Sequence, residues 1–221
     1  MMAAPRPDQS GLPRVFPVFP LTGALLLPQG KLPLNIFEPR YLAMVEDALA
    51  QGRMFGMIQP DPALPRGETG PGLYTVGCLG RLSSFSETED GRYLITLTGI
   101  ARFRVTKEVA MQRGYRRVEA VYDGFEDDLA PDMDALPVPR ADLVAALRGY
   151  FDRAGLEANW DAVSHMPDET LVTTLCMVCP FSPPEKQALL EAPGAADRAH
   201  ALYALLRMGG HDSPGGAALA S

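Results

Sequence analysis

Five prolines interrupt a stretch whose composition otherwise favours β-strands. Residues 15–49 read VFPVFPLTGALLLPQGKLPLNIFEPRYLAMVEDAL, with prolines at positions 17, 20, 28, 33 and 39. A proline lacks the N–H that a central strand must donate to its neighbour, so this density of prolines argues against a long central strand. We therefore expect the first strand of this protein to be short, kinked and at the edge of its sheet.

Alternating apolar and polar residues predict further strands in the first half of the chain. The alternation is clear over 32–37 and 93–98, and Pro33 favours an edge or a bulge in the earlier segment. Asp90-Gly91 lies between two strand-like runs and predicts a hairpin, because a type I′ turn needs positive φ at both central residues. Several strands interrupted by one helix, which starts near position 39, predict a small mixed β-barrel.

The second half of the chain has the periodicity of helices. An apolar stripe predicts a helix over 140–154, and its members are Leu143, Leu147, Tyr150 and Phe151. Asp168 is expected to cap the next helix, and Ser182 with Glu185 has the spacing of a capping box. We predict an α+β protein, with a strand-rich domain at 12–125, an acidic linker, a helical domain at 138–208, and flexible termini at 1–11 and 209–221.

Composition narrows the class of protein. The chain has 221 residues, a hydrophobic fraction of 47% and a net charge of −7, as expected of a globular protein. The N-terminus lacks an apolar signal segment, and the longest aliphatic patch, near 25–27, is too short to span a membrane. Three cysteines without a secretion signal predict a reducing, cytoplasmic setting and no disulfides. We expect no membrane partner.

One stretch departs from the acidic average. Residues 101–119 carry six basic and two acidic side chains, 6 − 2 = +4, which we interpret as an exposed strand face before a solvated acidic linker. Nucleic-acid binding through this stretch is the alternative. The net charge of −7 counts against a nucleic-acid partner.

Catalytic and metal-binding motifs are missing from the sequence. There is no GxxxxGK[ST] phosphate loop, no GxSxG and no HExxH, and none of the three lysines has the setting of a Ser–Lys dyad. Cys176 and Cys179 form a CxxC pair inside the apolar segment LVTTLCMVC. Core packing explains this pair better than a zinc or redox site, because no second ligand pair exists. We therefore expect no catalytic residue, metal or cofactor.

Three stretches together resemble the N-terminal, substrate-binding domain of Lon proteases. They are FPVFPLTGALLLPQGKLPLNIFEPRYLAMVEDAL, GLYTVGCLGRLSSFSETEDGRYLITLTGIARFRV and MPDETLVTTLCMVCPFSPPEKQALLEAPGAADRAHALYALL. The resemblance covers about 12–208 and implies a PUA-like mixed β-barrel followed by a C-terminal helical bundle. Gln29-Gly30 replaces the Pro-Gly step usual in that family. The ATPase and protease modules of Lon are not represented, so the resemblance implies a non-enzymatic binding role.

The resemblance implies capture of unfolded or degron-bearing polypeptides, or docking of a protein partner, and it predicts no particular oligomeric state. The segment FEPRY allows two interpretations. In the first, it is structural and a Glu–Arg contact fixes the start of the helix. In the second, it borders an apolar groove between barrel and helices, where methionines adapt to varied ligands. The candidate binding residues are Phe37, Glu38, Arg40, Tyr41 and Met44.

Overall fold

The structure is a computed structural model that describes residues 11–129 and 137–209. Within these residues lie six strands, six α-helices and a short 3-10 helix at Glu126–Leu129. The strands are β1 (Val15–Pro20), β2 (Lys31–Ile36), β3 (Met54–Ile58), β4 (Val76–Glu87), β5 (Tyr93–Gln112) and β6 (Tyr115–Val121). The helices are α1 (Pro39–Ala50), α2 (Arg140–Ala154), α3 (Trp160–His165), α4 (Asp168–Val178), α5 (Pro183–Glu191) and α6 (Ala195–Met208).

The six strands form one mixed sheet that closes on itself. Their order is β2-β5-β4-β3-β1-β6, and β5 also pairs with β6. This second pairing makes a ring of β5, β4, β3, β1 and β6 and leaves β2 attached to its outside. The β1–β3 pair is parallel, whereas the other pairs are antiparallel. The predicted α+β class is confirmed.

The expected edge position of the first strand is wrong. β1 lies between β3 and β6, although it contains Pro17 and ends at Pro20. The two pairings are staggered along β1, because β6 pairs with residues 15–18 and β3 with residues 18–20. Val18 is thus the position that has partners on both sides. Staggered pairing explains how an interior strand tolerates two residues that lack an N–H.

β2 occupies the edge position that the prolines favoured. It pairs with β5 through the register Pro33↔Thr96, and the sheet order gives it no second neighbour among the described strands. The side chains of β2 alternate between exposed and more buried positions, as the sequence pattern predicted. An edge strand accommodates Pro33 because one of its two sides needs no hydrogen bonds.

The hairpin at Asp90-Gly91 exists, but its turn is not type I′. The Thr88 N–H donates to the Arg92 carbonyl at 2.9 Å, and the Gly91 N–H donates to the Thr88 carbonyl at 3.0 Å. Residues 89–91 therefore form a three-residue loop, and Gly91 has φ of +77° whereas Asp90 does not have positive φ. This geometry is a turn closed by one left-handed glycine, the second most common way to join two strands.

The helices follow the predicted apolar stripes. Pro39 is the first residue of α1, and the stripe predicted for α2 is its buried set: Leu143, Leu147, Tyr150 and Phe151. Pro183 begins α5, and the Ser182 N–H donates to Glu185 Oε2 at 2.7 Å, as expected of a capping box. Asp168 is the first residue of α4 and not its cap, and its carboxylate accepts a hydrogen bond from Arg140.

The described residues fall into two compact units. The first contains residues 11–129 and 176–191, and the second contains residues 137–175 and 192–209. The predicted domain bounds of 12–125 and 138–208 place α5 with the helices, whereas α5 packs against β4 and belongs to the first unit. The predicted flexible termini and the middle of the acidic linker lie outside the described residues. None of the helices in the described ranges could cross a membrane, being either too short or too polar.

The sheet of the first unit surrounds a core of aromatic and aliphatic side chains. Phe16 and Phe103 meet edge to face, with ring centroids 4.9 Å apart. A Cβ added at Gly56 or Gly77 would lie within 2.7 Å of the Phe103 ring, so these positions require glycine for close packing. The buried members of this cluster are Phe16, Val18, Ile58, Leu73, Leu79, Ala101, Phe103, Val118, Ala120 and Tyr122.

In the second unit, α2 packs against α6, and arginines bind the ends of neighbouring segments. Arg153 donates to the carbonyls of Leu206 and Gly209, which end α6. Arg140 donates to the carbonyls of Val163, Ser164 and Met166. The guanidinium of Arg148 lies 4.2 Å from the Trp160 ring centroid. These contacts fix the short helix α3, which the sequence pattern did not predict.

Candidate functional site

The five candidate residues at the start of α1 divide into a surface pair of charges, one exposed ring and two buried side chains. Arg40 Nη2 lies 2.7 Å from Glu38 Oε2, and both side chains are about half exposed. Phe37 is 61% exposed, whereas Tyr41 is 6% and Met44 is 0% exposed. The segment therefore brings together a structural contact and an accessible aromatic ring.

Tyr41 anchors the start of α1 by packing into the interior of the first unit. Its ring lies 4.1 Å from the ring of Phe19, and the guanidinium of Arg40 lies 4.6 Å from the Tyr41 ring centroid. Burial raises the pKa of the Tyr41 hydroxyl above its ordinary value. The Glu38–Arg40 contact that the structural interpretation expected is present. Tyr41 and Met44 belong to the packed interior, so only Phe37, Glu38 and Arg40 of the five candidates are accessible at the surface.

The far end of the β4–β5 hairpin carries exposed apolar residues that the sequence pattern did not reveal. Every β4 residue from Ser83 to Glu87 is exposed, and Phe85 is 40% exposed. The rings of Phe85 and Tyr93 lie 5.0 Å apart, and the guanidinium of Arg92 lies 5.9 Å from the Phe37 ring. We call this set, Phe37, Phe85, Arg92 and Tyr93, the hairpin-end surface.

The strand register decides which side chains share a face at the hairpin end. Phe85 pairs with the buried Ile95, so both lie on the same side of the sheet as Tyr93, two residues earlier. Leu94, which is 47% exposed, points to the opposite side, and so does Arg92, which lies beside Phe37. The hairpin-end surface therefore includes residues from both sides of the hairpin. A bulge between Leu82 and Ser84 shifts the register just before this end. Phe85 stands among polar neighbours in SSFSE, and that isolation was the available signal in the sequence.

Tyr93 connects the hairpin end to α1. Its hydroxyl donates to Glu46 Oε1 at 3.3 Å, and partial burial and the nearby Glu46 charge raise its pKa. Glu46 also accepts from Arg113 at 2.7 Å. The hairpin-end surface thus rests on a polar contact to the helix whose first turn carries Glu38 and Arg40.

The interpretation of residues 101–119 as an exposed basic face is wrong for its main members. Arg102 is 3% exposed and lies 2.8 Å from Asp128, a residue of the predicted solvated linker that is itself buried. Arg116 is also buried, and it binds Glu108. Two more cations of this stretch are paired at the surface, Lys107 with Glu119 and Arg113 with Glu46 and Asp47. Most of the local positive charge is therefore neutralised within the first unit.

Cys176 and Cys179 are completely buried, as expected of core residues. Burial raises the pKa of the Cys179 thiol to about 12, so it stays protonated at neutral pH. Burial lowers the pKa of Lys186, whose ammonium donates to the carbonyls of Gly23 at 2.7 Å and Met177 at 3.2 Å. Across the described ranges, no group of three His, Cys, Asp or Glu residues could hold a metal ion.

The EKQ segment of α5 anchors this helix inside the first unit. Gln187 Nε2 donates to the carbonyl of Val76 at 3.1 Å, and Gln59 Nε2 donates to Gln187 Oε1 at 3.1 Å. Gln59 Oε1 accepts from the Gly23 N–H at 3.1 Å. Together with Lys186, these amides satisfy backbone groups of three different segments. The sequence motif has a structural explanation and supplies no reacting group.

Comparison with known proteins identifies the family. Residues 15–208 match the family described as the ATP-dependent protease La (LON) substrate-binding domain. A crystal structure of a Lon N-terminal domain protein from Xanthomonas campestris is 25% identical, with a TM-score of 0.58 over 86% of this chain and 97% of that one. The N-terminal domain of a Mycobacterium avium complex Lon protease shares the fold at 16% identity and a TM-score of 0.58, over 87% and 97% of the two chains.

Curated relatives extend well beyond the matched region. Lon protease 2 of Sorangium cellulosum (strain So ce56) is 26% identical over 91% of this chain and 25% of its own length. Lon protease 2 of Myxococcus xanthus is 29% identical over 52% of this chain and 14% of its own length. The chain thus spans a quarter or less of these two relatives. Because the family match covers 15–208 of its 221 residues, the chain belongs to the LON substrate-binding domain family.

Proposed function

We propose that this protein is a non-enzymatic binding module that captures unfolded or degron-bearing polypeptides through the hairpin-end surface. The observation that carries the proposal is the exposure of two aromatic rings, Phe37 at 61% and Phe85 at 40%, at one end of the sheet. Large exposed apolar groups that lie close together mark interaction sites more often than single exposed ones do. Membership of a substrate-binding family supports the same conclusion.

The chemistry of this surface suits a ligand without a fixed sequence. Phe37 and Phe85 offer apolar area whose burial stabilises a complex by roughly 25 cal/mol for each Å² removed from water. Arg92 lies beside Phe37 and adds a donor for the carbonyl groups of any main chain. A surface with apolar rings and few directional groups binds many unfolded segments weakly, instead of one segment tightly.

The candidate residues of α1 take separate roles in this proposal. Phe37 contacts the ligand, and Glu38 and Arg40 form a charged rim that their mutual contact holds in place. Tyr41 and Met44 are the packed support beneath this rim. The ring contact between Tyr41 and Phe19 keeps the support rigid, which lowers the entropy cost of binding.

The proposal excludes chemistry by the chain itself and places its action in the cytoplasm. The sequence offers no phosphate loop and no nucleophile with an adjacent base. An odd number of cysteines, all of them buried, suits a reducing compartment better than a disulfide framework. RNA binding is disfavoured because Arg102 and Arg116, two arginines of the basic stretch, are buried in ion pairs.

The test is a titration followed by fluorescence anisotropy. A labelled, reduced and carboxymethylated polypeptide that cannot fold is titrated with the protein at about 50 mM and about 500 mM salt, beside a labelled RNA. We expect saturable polypeptide binding with a Kd of about a micromolar that changes less than roughly threefold with salt, because apolar burial is weakly screened. Salt-sensitive RNA binding without polypeptide binding would overturn the proposal.

Two variants locate the surface. Phe37→Ser removes the most exposed ring and should weaken polypeptide binding by roughly tenfold. Met111→Ser is the matched control, because Met111 is similarly exposed but lies near the other end of β5. Its affinity should stay within about twofold of the unmodified protein. Equal losses in both variants would contradict the assignment of binding to the hairpin-end surface.

A further inference from the structure

A small cavity lies in the first unit, away from the hairpin end. Its volume is about 80 Å³, and it opens between the start of β1, the last turn of α1 and the β5–β6 turn. Phe16 and Ala48 give it an apolar floor, and both are buried. Because a single water needs only about 10–15 Å³ of such space, the cavity admits a carboxylate or a small aliphatic group.

The polar side chains around the cavity differ in how many hydrogen-bond partners they already have. Asp47 accepts from Tyr115 Oη at 2.7 Å, from Arg113 Nη1 at 2.8 Å and from Gln112 Nε2 at 3.1 Å. Both of its oxygens are therefore occupied, and these hydrogen bonds lower its pKa. An ionised carboxylate with three donors has little capacity left to bind a cationic ligand.

Arg117 also lines the cavity, and it differs from four of the five other cations of residues 101–119. Arg102, Lys107, Arg113 and Arg116 each bind a carboxylate. The Arg117 side chain has no hydrogen bond or ion pair with any residue in the described ranges. Glu119 is the next side chain on the same face of β6, and its Oε2 forms an ion pair with Lys107 Nζ at 2.8 Å. A guanidinium that lines a cavity and lacks a carboxylate is a ready site for one, because its donors match two carboxylate oxygens.

We infer that this cavity binds a carboxylate joined to a small apolar group, with Arg117 as the residue that holds the charge. The geometry fits the end of a polypeptide, whose α-carboxylate meets Arg117 while a small last side chain enters toward Phe16 and Ala48. A free aliphatic acid has the same chemistry. The identification of the ligand as a polypeptide end rests on the proposed function, whereas the preference for a carboxylate rests on the cavity alone.

The experiment compares two peptides that differ in one group. A fluorescein-labelled hexapeptide Gly-Ser-Gly-Ser-Ala-Ala with a free C-terminus is titrated with the full chain beside the same peptide ending in an amide. We expect the free acid to bind roughly tenfold more tightly, because a charge-assisted hydrogen bond is lost in the amide. Equal affinities, or no saturable binding of the acid, would overturn the inference.

Variants of Arg117 test whether this residue binds the carboxylate. Arg117→Gln should remove the difference between the acid and the amide, and Arg117→Lys should keep part of it. Arg104→Gln is the control, because Arg104 lies on neighbouring β5, packs over Phe125 and does not line the cavity. It should preserve the difference. A preference for the acid that survives Arg117→Gln would contradict the role given to this residue, and thermal unfolding of each variant shows that it is folded.

Isobutyrate distinguishes the two sources of the carboxylate. If isobutyrate displaces the free-acid peptide, a small acid is sufficient, and the site is a general carboxylate site. If it does not, the site needs the peptide main chain as well. The hexapeptide has no aromatic residue, so the two surfaces are tested separately. Loss of the acid preference with intact capture of the long unfolded polypeptide would overturn this inference and leave the proposed function standing.

Discussion

The two ends of the β4–β5 hairpin differ in how tightly they are packed. The outer end is next to the turn at residues 89–91, and the inner end is near Gly99 and Arg102. At the inner end, Gly99 lies so close to another segment that no side chain fits, and Arg102 is enclosed with its carboxylate partner. At the outer end, Phe85 and Leu94 stand in solvent on opposite sides of the ribbon. Close packing is concentrated at the inner end, so substitutions at the outer end should change the stability of the fold much less.

The largest expected effect is at the inner end, where Gly99→Ala would break the packing. A Cβ at this position would lie 2.0 Å from the carbonyl oxygen of Leu27, a backbone atom that cannot turn aside. Gly99 also exchanges backbone hydrogen bonds with the same segment, donating to Gly30 and accepting from Gln29. We expect a loss of about 5 kcal/mol in the free energy of unfolding, measured by urea denaturation. A loss below about 1 kcal/mol would contradict the close approach.

Arg102→Met should have the next largest effect. The variant leaves Asp128 buried without its cation, which costs about 3–5 kcal/mol of unfolding free energy. The double variant Arg102→Met with Asp128→Leu removes both charges and should recover at least about 1 kcal/mol of this loss. Urea denaturation of the two variants measures the recovery. A double variant less stable than the single one would show that the pair is not coupled as described.

Gly91→Ala repeats the glycine substitution at the outer end and should cost far less than Gly99→Ala. No atom lies within 4 Å of the added Cβ, so the cost is the strain of a positive φ of +77° alone. We expect a loss of about 1 kcal/mol in the free energy of unfolding, again measured by urea denaturation. The ratio of the two losses in unfolding free energy measures how much more tightly the inner end is packed. Similar losses would mean that the two ends are packed equally tightly.

The smallest effects are expected for the exposed apolar residues. Phe37→Ser and Met111→Ser should each change the free energy of unfolding by no more than about 0.5 kcal/mol, since both side chains are at least half exposed to water. Thermal and urea unfolding measure this directly. A loss above about 2 kcal/mol in either variant would mean that the residue supports the fold, and its effect on binding could not then be separated from its effect on stability.

Local patterns predicted most of the elements of this fold. The stripe of α2, the start of α1 at Pro39 and the capping box of α5 depend on neighbours along the chain, and all three are present. The position of β1 could not be predicted in this way. Whether Pro17 is tolerated depends on which residues of β1 pair with each neighbouring strand, and this stagger is a property of the assembled sheet.

The candidate site was predicted only in part, because it too depends on contacts that form in the folded chain. The sequence singled out FEPRY, where Phe37 is indeed at the surface, whereas Tyr41 and Met44 face the interior. The helical spacing of Tyr41, Val45 and Ala48 was the signal for the burial of Tyr41. The sequence pattern also missed Phe85, which comes near Tyr93 only through the hairpin register. Arg102 and Arg116 were taken for surface charges because their partners, Asp128 and Glu108, are brought to them by the folded chain.

The closed ring of strands has a consequence for behaviour at high concentration. β2 has no second neighbour in the sheet order of the described strands, and its middle is occupied by Pro33, which cannot donate a hydrogen bond to an incoming strand. The charged Lys31 begins the same strand. Exposed apolar residues such as Phe37 favour association between copies of a protein. Pro33 and Lys31 oppose strand pairing at the edge of β2, so this strand is a poor template for the growth of a sheet from one chain to the next.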